Sequence, residues 1–189
     1  MKKHRIAPPM LADIIQAALS VCDNKLFDQC SSCPKCEGPV SGYDIKRKQF
    51  AVIMDREQER SIEVRVKRYS CLRCKSVFFA DQPFYPHTRV GSPVFDLCSA
   101  FSATMPYFQV ASTLRQLGVI VDRWSVRNYA MKDYQTSTIN VFGVMLPSSI
   151  LSLSALEAGS ADGLDIPATD ILAACNFPSR KRPAFTHEE

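Results

Sequence analysis

The chain has 189 residues, 46% of them apolar, and a formal net charge of +4, which leaves room for one or two small domains and makes it mildly basic. No apolar run approaches the roughly 18 residues of a membrane span. Asp13 and Gln16 interrupt the apolar stretch behind the basic Met1–Arg5 start, which argues against a signal peptide and for a cytoplasmic setting where thiols stay reduced and available to metal.

Residues 1–8 read as a basic tail within an N-terminal segment, 1–29. From Pro9 to about Cys22, the residues Leu11, Ile14, Ile15, Ala18 and Leu19 recur at helical spacing. Pro8 and Pro9 suit a helix start. The expectation is an amphipathic helix that packs on the next unit or on a partner chain.

Residues 30–82 read as a zinc ribbon. Cys33-Pro34-Lys35-Cys36 and Cys71-Leu72-Arg73-Cys74 supply four soft thiolates, the set a tetrahedral structural zinc needs. The two-residue gap lets a tight turn aim both sulfurs of a pair inward. Neither pair opens a helix in a βαβ pattern, as a thioredoxin-type motif would. Cys30 extends the run to Cys30-x-x-Cys33-x-x-Cys36, so Cys30/Cys33 is an alternative first pair; Pro34 inside the pair and Gly38 after it favour Cys33/Cys36.

Between the pairs, Lys48–Met54 reads as a strand, 55–60 as a polar turn, and Ile62, Val64 and Val66 alternate with Glu63, Arg65 and Lys67 as a half-exposed strand. Ser76–Ala80 is a third short strand. So small a hairpin draws much of its folding free energy from the metal, on the order of 10 kcal/mol. Lys46, Arg47, Lys48, Arg65, Lys67, Arg68, Arg73 and Lys75 give it an uneven basic face, and Lys67 and Arg68 are candidate phosphate contacts.

Residues 83–92, within a stretch holding Pro83, Pro86, Gly91 and Pro93, read as an extended connector. His87 lies here, but four cysteines already fill a zinc shell. Residues 93–135 read as a helical unit. Ser92-Pro93 is expected to start a helix, serine as N-cap, with Val94, Leu97, Cys98 and Phe101 on its apolar stripe and Met105-Pro106 ending it. A second helix, about Tyr107–Leu117, ends at Gly118. Asp122 caps a third, about Arg123–Tyr134. Two short helices joined through a glycine turn form a helix-turn-helix pattern, whose last helix would enter a DNA major groove. Its start carries Arg123, Ser125, Arg127 and Asn128; arginine and asparagine suit bidentate contacts to guanine and adenine edges. Trp124 is expected to pack or to meet the DNA backbone.

Residues 136–189 read as a weakly ordered tail. Val141–Pro147 is a short strand or docking segment, Ser148–Asp165 is mobile, Thr169–Cys175 is a short helix, and Ser179–Pro183 is a solvated basic cluster.

Taken together, Cys33/Cys36, Cys71/Cys74 preceded by Arg68-Tyr69, the Pro83–Pro93 connector and Leu114–Tyr129 resemble the N-terminal part of insertion-sequence (DDE-type) transposases. The phrase Leu117-Gly118-Val119-Ile120-Val121-Asp122-Arg123-Trp124-Ser125-Val126 is similar to their helix-to-helix turn. The likeness covers 30–134. It implies modules that recognise an element's terminal repeats, joined in that family to a catalytic domain with three acidic residues and two divalent metals. The 55 residues after Tyr134 are too few for such a domain. Glu157, Asp162, Asp165 and Asp170 share one weakly patterned stretch and are no catalytic set.

The expectation is therefore an α+β protein of two small modules, a zinc ribbon (hairpin plus third strand) and a helix-turn-helix. It is read as a non-enzyme that binds double-stranded DNA sequence-specifically, with one structural zinc and no membrane partner. A second copy or a transposase is a candidate partner. The alternative is a zinc-ribbon protein-interaction module or accessory subunit without DNA binding.

Overall fold

The structure, a computed structural model, describes residues 9–160 and 165–177; the basic tail 1–8, Asp162 and the basic cluster 179–183 lie outside the described residues. It is α+β, with six helices and two sheets among those residues. Helix α1, Pro9–Ser20, buries Leu11, Ile15, Ala18 and Leu19, one stripe at helical spacing. Within the chain its main partner is not the hairpin but the late helix α5, Ser148–Gly159, in the stretch expected to be mobile. There Ile150 and Leu153 are fully buried. The serines and alanines of α5 hide this face from a reading by composition.

After α1 the chain reverses at Asn24, whose φ is 58°, into the two-residue strand β1, Leu26–Phe27. The hairpin that follows is far longer than the sequence pattern suggests: β2 spans Val40–Asp55 and β3 spans Gln58–Cys71. Its turn is only Arg56-Glu57, both with positive φ, 44° and 70°, the conformation that matches strand twist in two-residue hairpins. Apolar alternation marks only the inner half, because residues 41–49 of β2 are polar or exposed on both faces. Main-chain pairing from Val40↔Cys71 onward carries the ladder where side chains give no sign of it.

A bulge between Gln49 and Ala51 inserts Phe50 into β2, so that Phe50 and Ala51, adjacent in sequence, are both fully buried. β1 runs parallel to β3 and β4, Val77–Phe79, antiparallel to it, completing a four-stranded sheet.

Residues 83–91 form no helix or strand, but they are packed. Tyr85 lies between the rings of Phe95 and Tyr134, at centroid distances of 4.7 and 4.1 Å. Gly91 donates its amide to the Phe50 carbonyl at 2.7 Å; a Cβ there would stand 2.2 Å from the Phe50 ring, so no larger residue fits.

Helix α2, Ser92–Ser102, has Gly91 as its N-cap. The expected serine cap does not form: Ser92 is inside the helix, buried, and its Oγ has no hydrogen-bond partner. Helices α3, Tyr107–Gln116, and α4, Arg123–Ala130, follow. α4 stops at Ala130, four residues before the expected end at Tyr134, since Tyr134 leaves the helix to cover Tyr85 and Phe95. Strands β5, Thr138–Val141, and β6, Val144–Pro147, form a second hairpin around Phe142-Gly143 where one strand was expected. α6, Ala168–Ala174, packs on α5.

One hydrophobic core runs through all these parts. At its centre the buried Asp96 carboxylate accepts from Tyr85 Oη and Ser149 Oγ at 2.8 Å and Thr136 Oγ1 at 3.2 Å, binding the connector, α2 and α5 together.

Candidate metal centre and candidate nucleic-acid interface

The Sγ atoms of Cys33, Cys36, Cys71 and Cys74 all lie within 4.8 Å of one another. Cys33 faces Cys74 at 3.6 Å and Cys36 faces Cys71 at 3.5 Å. A disulfide would bring two sulfurs to about 2.05 Å. A tetrahedral ion with metal–sulfur bonds of about 2.3 Å would hold them about 3.8 Å apart. The donor set and its spacing therefore fit a metal ion, and four thiolates are compatible with a structural zinc.

The two knuckles share one local geometry. Glu37 and Lys75, each four residues after the first cysteine of its pair, have φ of 55° and 59°. Their amides donate to the Cys33 and Cys71 carbonyls at 2.8 and 3.0 Å. Amides also point at sulfur: Lys35 N donates to Cys33 Sγ and Cys74 N to Cys71 Sγ, both at 3.4 Å. Such donors favour thiolate over thiol.

Gly38 and Ser76 hold equivalent places after the two turns. A Cβ on Gly38 would stand 2.9 Å from Arg73 Cβ and 3.3 Å from two of the sulfurs, so glycine lets the knuckles close. The Ser76 hydroxyl is 3.0 Å from Cys74 Sγ, and that bond brings the Cys74 thiol down to about 6. The sequence reading missed Ser76; its position, two residues beyond a pair just as Gly38 is, was the available sign.

Cys30 stays apart from this group, with its Sγ 3.6 Å from the Ser32 carbonyl; the pair is Cys33/Cys36. Cys22 and Cys98 are buried in the core, and burial pushes both thiols up, the inert behaviour of packed cysteine.

The residues expected to touch nucleic acid fall into two places. On α4, Arg123, Arg127 and Asn128 are exposed side by side. The Ser125 hydroxyl is engaged, donating to Asp122 Oδ2 at 2.6 Å, while Asp122 Oδ1 accepts the amides of Trp124 and Ser125. Asp122 thus caps α4 as the sequence predicts. Trp124 does not pack: 60% of it is exposed.

On the hairpin, Arg68 is held by Asp44 through two 2.6 Å bonds, and the Lys67 ammonium sits 5.1 Å from the Tyr69 ring centroid. Two other members of the basic face, Arg47 and Arg65, are more exposed. They stand directly across β2 and β3, and like charges so opposed repel. Lys67 lies two residues along the same face.

The α3–α4 turn is fixed to the hairpin. Met54 N donates to the Gly118 carbonyl at 2.9 Å and Ile120 N to the Val52 carbonyl at 2.8 Å, so the turn continues the sheet at the free edge of β2.

Among the described residues, the four-thiol set is the one group of three or more His, Cys, Asp or Glu side chains placed to hold a metal. Asp165 pairs instead with Lys25. No helix is long and apolar enough to cross a membrane, among the same residues. The chain matches no protein-family model, no curated protein and no solved structure.

Proposed function

We propose that the chain is a zinc-stabilised protein that binds double-stranded DNA sequence-specifically, like the recognition half of a transposase. In this reading the thiol cluster with β2, β3 and β4 is a zinc ribbon, and α3 and α4 form a helix-turn-helix. The observation that carries it is the start of α4: Arg123 and Arg127, one turn apart, and Asn128 beside Arg127 are exposed on a helix whose preceding turn is bonded into the sheet. A fixed turn gives those side chains the positional definition that base-edge contacts require.

Arg47, which lies 3.8 Å from Glu63, Arg65, which donates to the Asn24 carbonyl at 3.1 Å, and Lys67 would turn to phosphates on binding. The ribbon's metal shell is closed by four sulfurs and has no open position, so zinc here stabilises the fold and does not act on substrate.

The second reading is a protein-interaction module. It draws on the β5–β6 hairpin, where Ile139, Phe142 and Met145 are all exposed, Phe142 at the tip by 73%, since grouped apolar exposure marks contact surfaces. Affinity of the zinc-loaded chain for random and selected duplexes, measured across salt concentrations, separates the two. A steep fall of affinity with salt, on the order of one power of salt per neutralised phosphate, with a preferred site, supports DNA recognition. Absence of duplex binding at low salt overturns it in favour of the protein module.

A further inference from the structure

Beside the polar face of α4, and sharing Arg123 and Arg127 with it, lies a cleft whose aromatic wall duplex reading leaves unused. Phe108 is 66% exposed and Tyr107 lies beside it at the start of α3. With Pro106, Arg123, Trp124 and Arg127 they line one open cleft of about 270 Å³. That is a little under the roughly 300 Å³ at which pockets for drug-sized molecules begin, a size for one flat ring system.

Three large aromatic side chains line it, Phe108 and Trp124 mostly exposed, where folding normally claims such area. The charges around them have one sign. The Arg123 guanidinium lies 4.9 Å from the Trp124 ring centroid, and Arg127 is the second cation on the wall. The neighbouring acid, Asp122, has both carboxylate oxygens engaged by Trp124 and Ser125. Aromatic faces with arginines suit a planar group joined to an anionic backbone.

We propose that this cleft stacks an unpaired base of single-stranded DNA against Phe108 and Trp124, beside the duplex that Arg123 and Arg127 hold. The inference rests on the DNA-binding reading and refines its substrate: a duplex that ends in, or opens into, a single strand. Stacking on aromatics tolerates any base, so the cleft would sense strandedness while α4 reads sequence.

Trp124 is the chain's single tryptophan, so intrinsic tryptophan emission reports on this cleft alone. The metal-loaded full chain is titrated with an oligothymidine strand, a blunt duplex, and the same duplex bearing a single-stranded thymidine tail. The expected result is quenching by the strand, and deeper quenching by the tailed duplex than by the blunt one. Phe108→Ala keeps the reporter and removes an exposed ring, so the fold, checked by circular dichroism, is retained. It should weaken the tailed duplex about tenfold, the usual scale of one lost stacking contact, and leave the blunt duplex within about twofold.

Tailed DNA that binds with no deeper quenching than the blunt duplex overturns the proposal, as does equal weakening of both duplexes by Phe108→Ala. So does quenching by an oligoglutamate peptide of equal charge to the same extent as by the strand. Loss of all duplex binding is a separate result that fails the DNA reading itself, whereas salt-dependent blunt-duplex binding with no gain from a tail fails only the cleft.

Discussion

The amide of Ile120 donates to the carbonyl of Val52 at 2.8 Å, which makes the turn between α3 and α4 an extension of the sheet. Gly118, two residues earlier, has φ of +77° and packs so closely that a Cβ on it would meet Gln16 Nε2 at 2.0 Å. Gly118→Ala therefore carries two costs. The left-handed backbone costs alanine about 1–2 kcal/mol, and Gln16 has to move. Chemical denaturation should register a loss of at least about 1 kcal/mol. Adding Gln16→Ala removes the contact but not the backbone strain, so the double variant should recover only part of the loss. Full recovery would show that the turn bears no strain at φ.

The thiol cluster makes a sharper claim. Cys71 is fully buried and its sulfur faces Cys36 at 3.5 Å; Cys30 has no place in the set. Native mass spectrometry with elemental analysis should find one zinc per chain, absent in Cys71→Ser and retained in Cys30→Ser. Because the metal supplies folding free energy on the order of 10 kcal/mol in such sites, chelation should lower the melting temperature of the parent and leave Cys71→Ser unchanged. Zinc retained in Cys71→Ser would remove the site as described.

Asp44 and Arg68 test the exposed half of the hairpin. The Arg68 guanidinium, joined by the Lys46 ammonium at 3.4 Å, brings the Asp44 carboxyl from the ordinary 3.8 down to about 2. A carboxylate whose folded value is depressed stabilises the fold above its unfolded value and loses that contribution as pH falls through the folded one. The gap in melting temperature between the parent and Asp44→Asn should thus be present at pH 6, shrink from about pH 4 downward, and vanish near pH 2. Metal loss in acid is common to both chains and cancels in the difference. The pair is partly solvated, so 1 M salt should also narrow the gap. A gap constant from pH 6 to pH 2 would assign the stabilisation to packing instead of charge.

These sites differ in how far the sequence foretold them. Paired cysteines have few other uses at that spacing, so Cys33, Cys36, Cys71 and Cys74 were readable directly, and so was Asp122 as a cap ahead of an apolar helix face. The long outer part of β2 was not, because strand residues with both faces in solvent lose the period-2 sign. α5 escaped for a related reason: Ser148, Ser149, Ser152 and Ser154 are interleaved with its apolar residues, and its partner α1 lies far away in sequence. Ser149 illustrates the point, since its hydroxyl is buried against Asp96, a partner that composition cannot name. The separation into modules expected from the prolines was likewise blurred by packing, as Tyr85 in the connector closes the core over Phe95.

The start of α4 yields the most discriminating prediction for function. Arg127 is exposed on the same helix face as Arg123 and Asn128 neighbours it, whereas Ser125 is committed to Asp122 through its hydroxyl. If α4 reads base edges, Arg127→Ala should lower affinity for a selected site by about 1–3 kcal/mol while random duplex falls far less. Ser125→Ala should leave site preference unchanged and lower only helix stability, because its hydroxyl serves the cap. Arg47→Ala should act in the opposite sense, weakening selected and random duplexes alike and reducing the salt slope by about one unit. Footprinting and salt titration of the three variants check the set. An Arg127→Ala footprint identical to the parent's would move base reading off α4. A loss of site preference in Ser125→Ala would show that the serine leaves Asp122 to meet DNA, and that the cap is remade on binding.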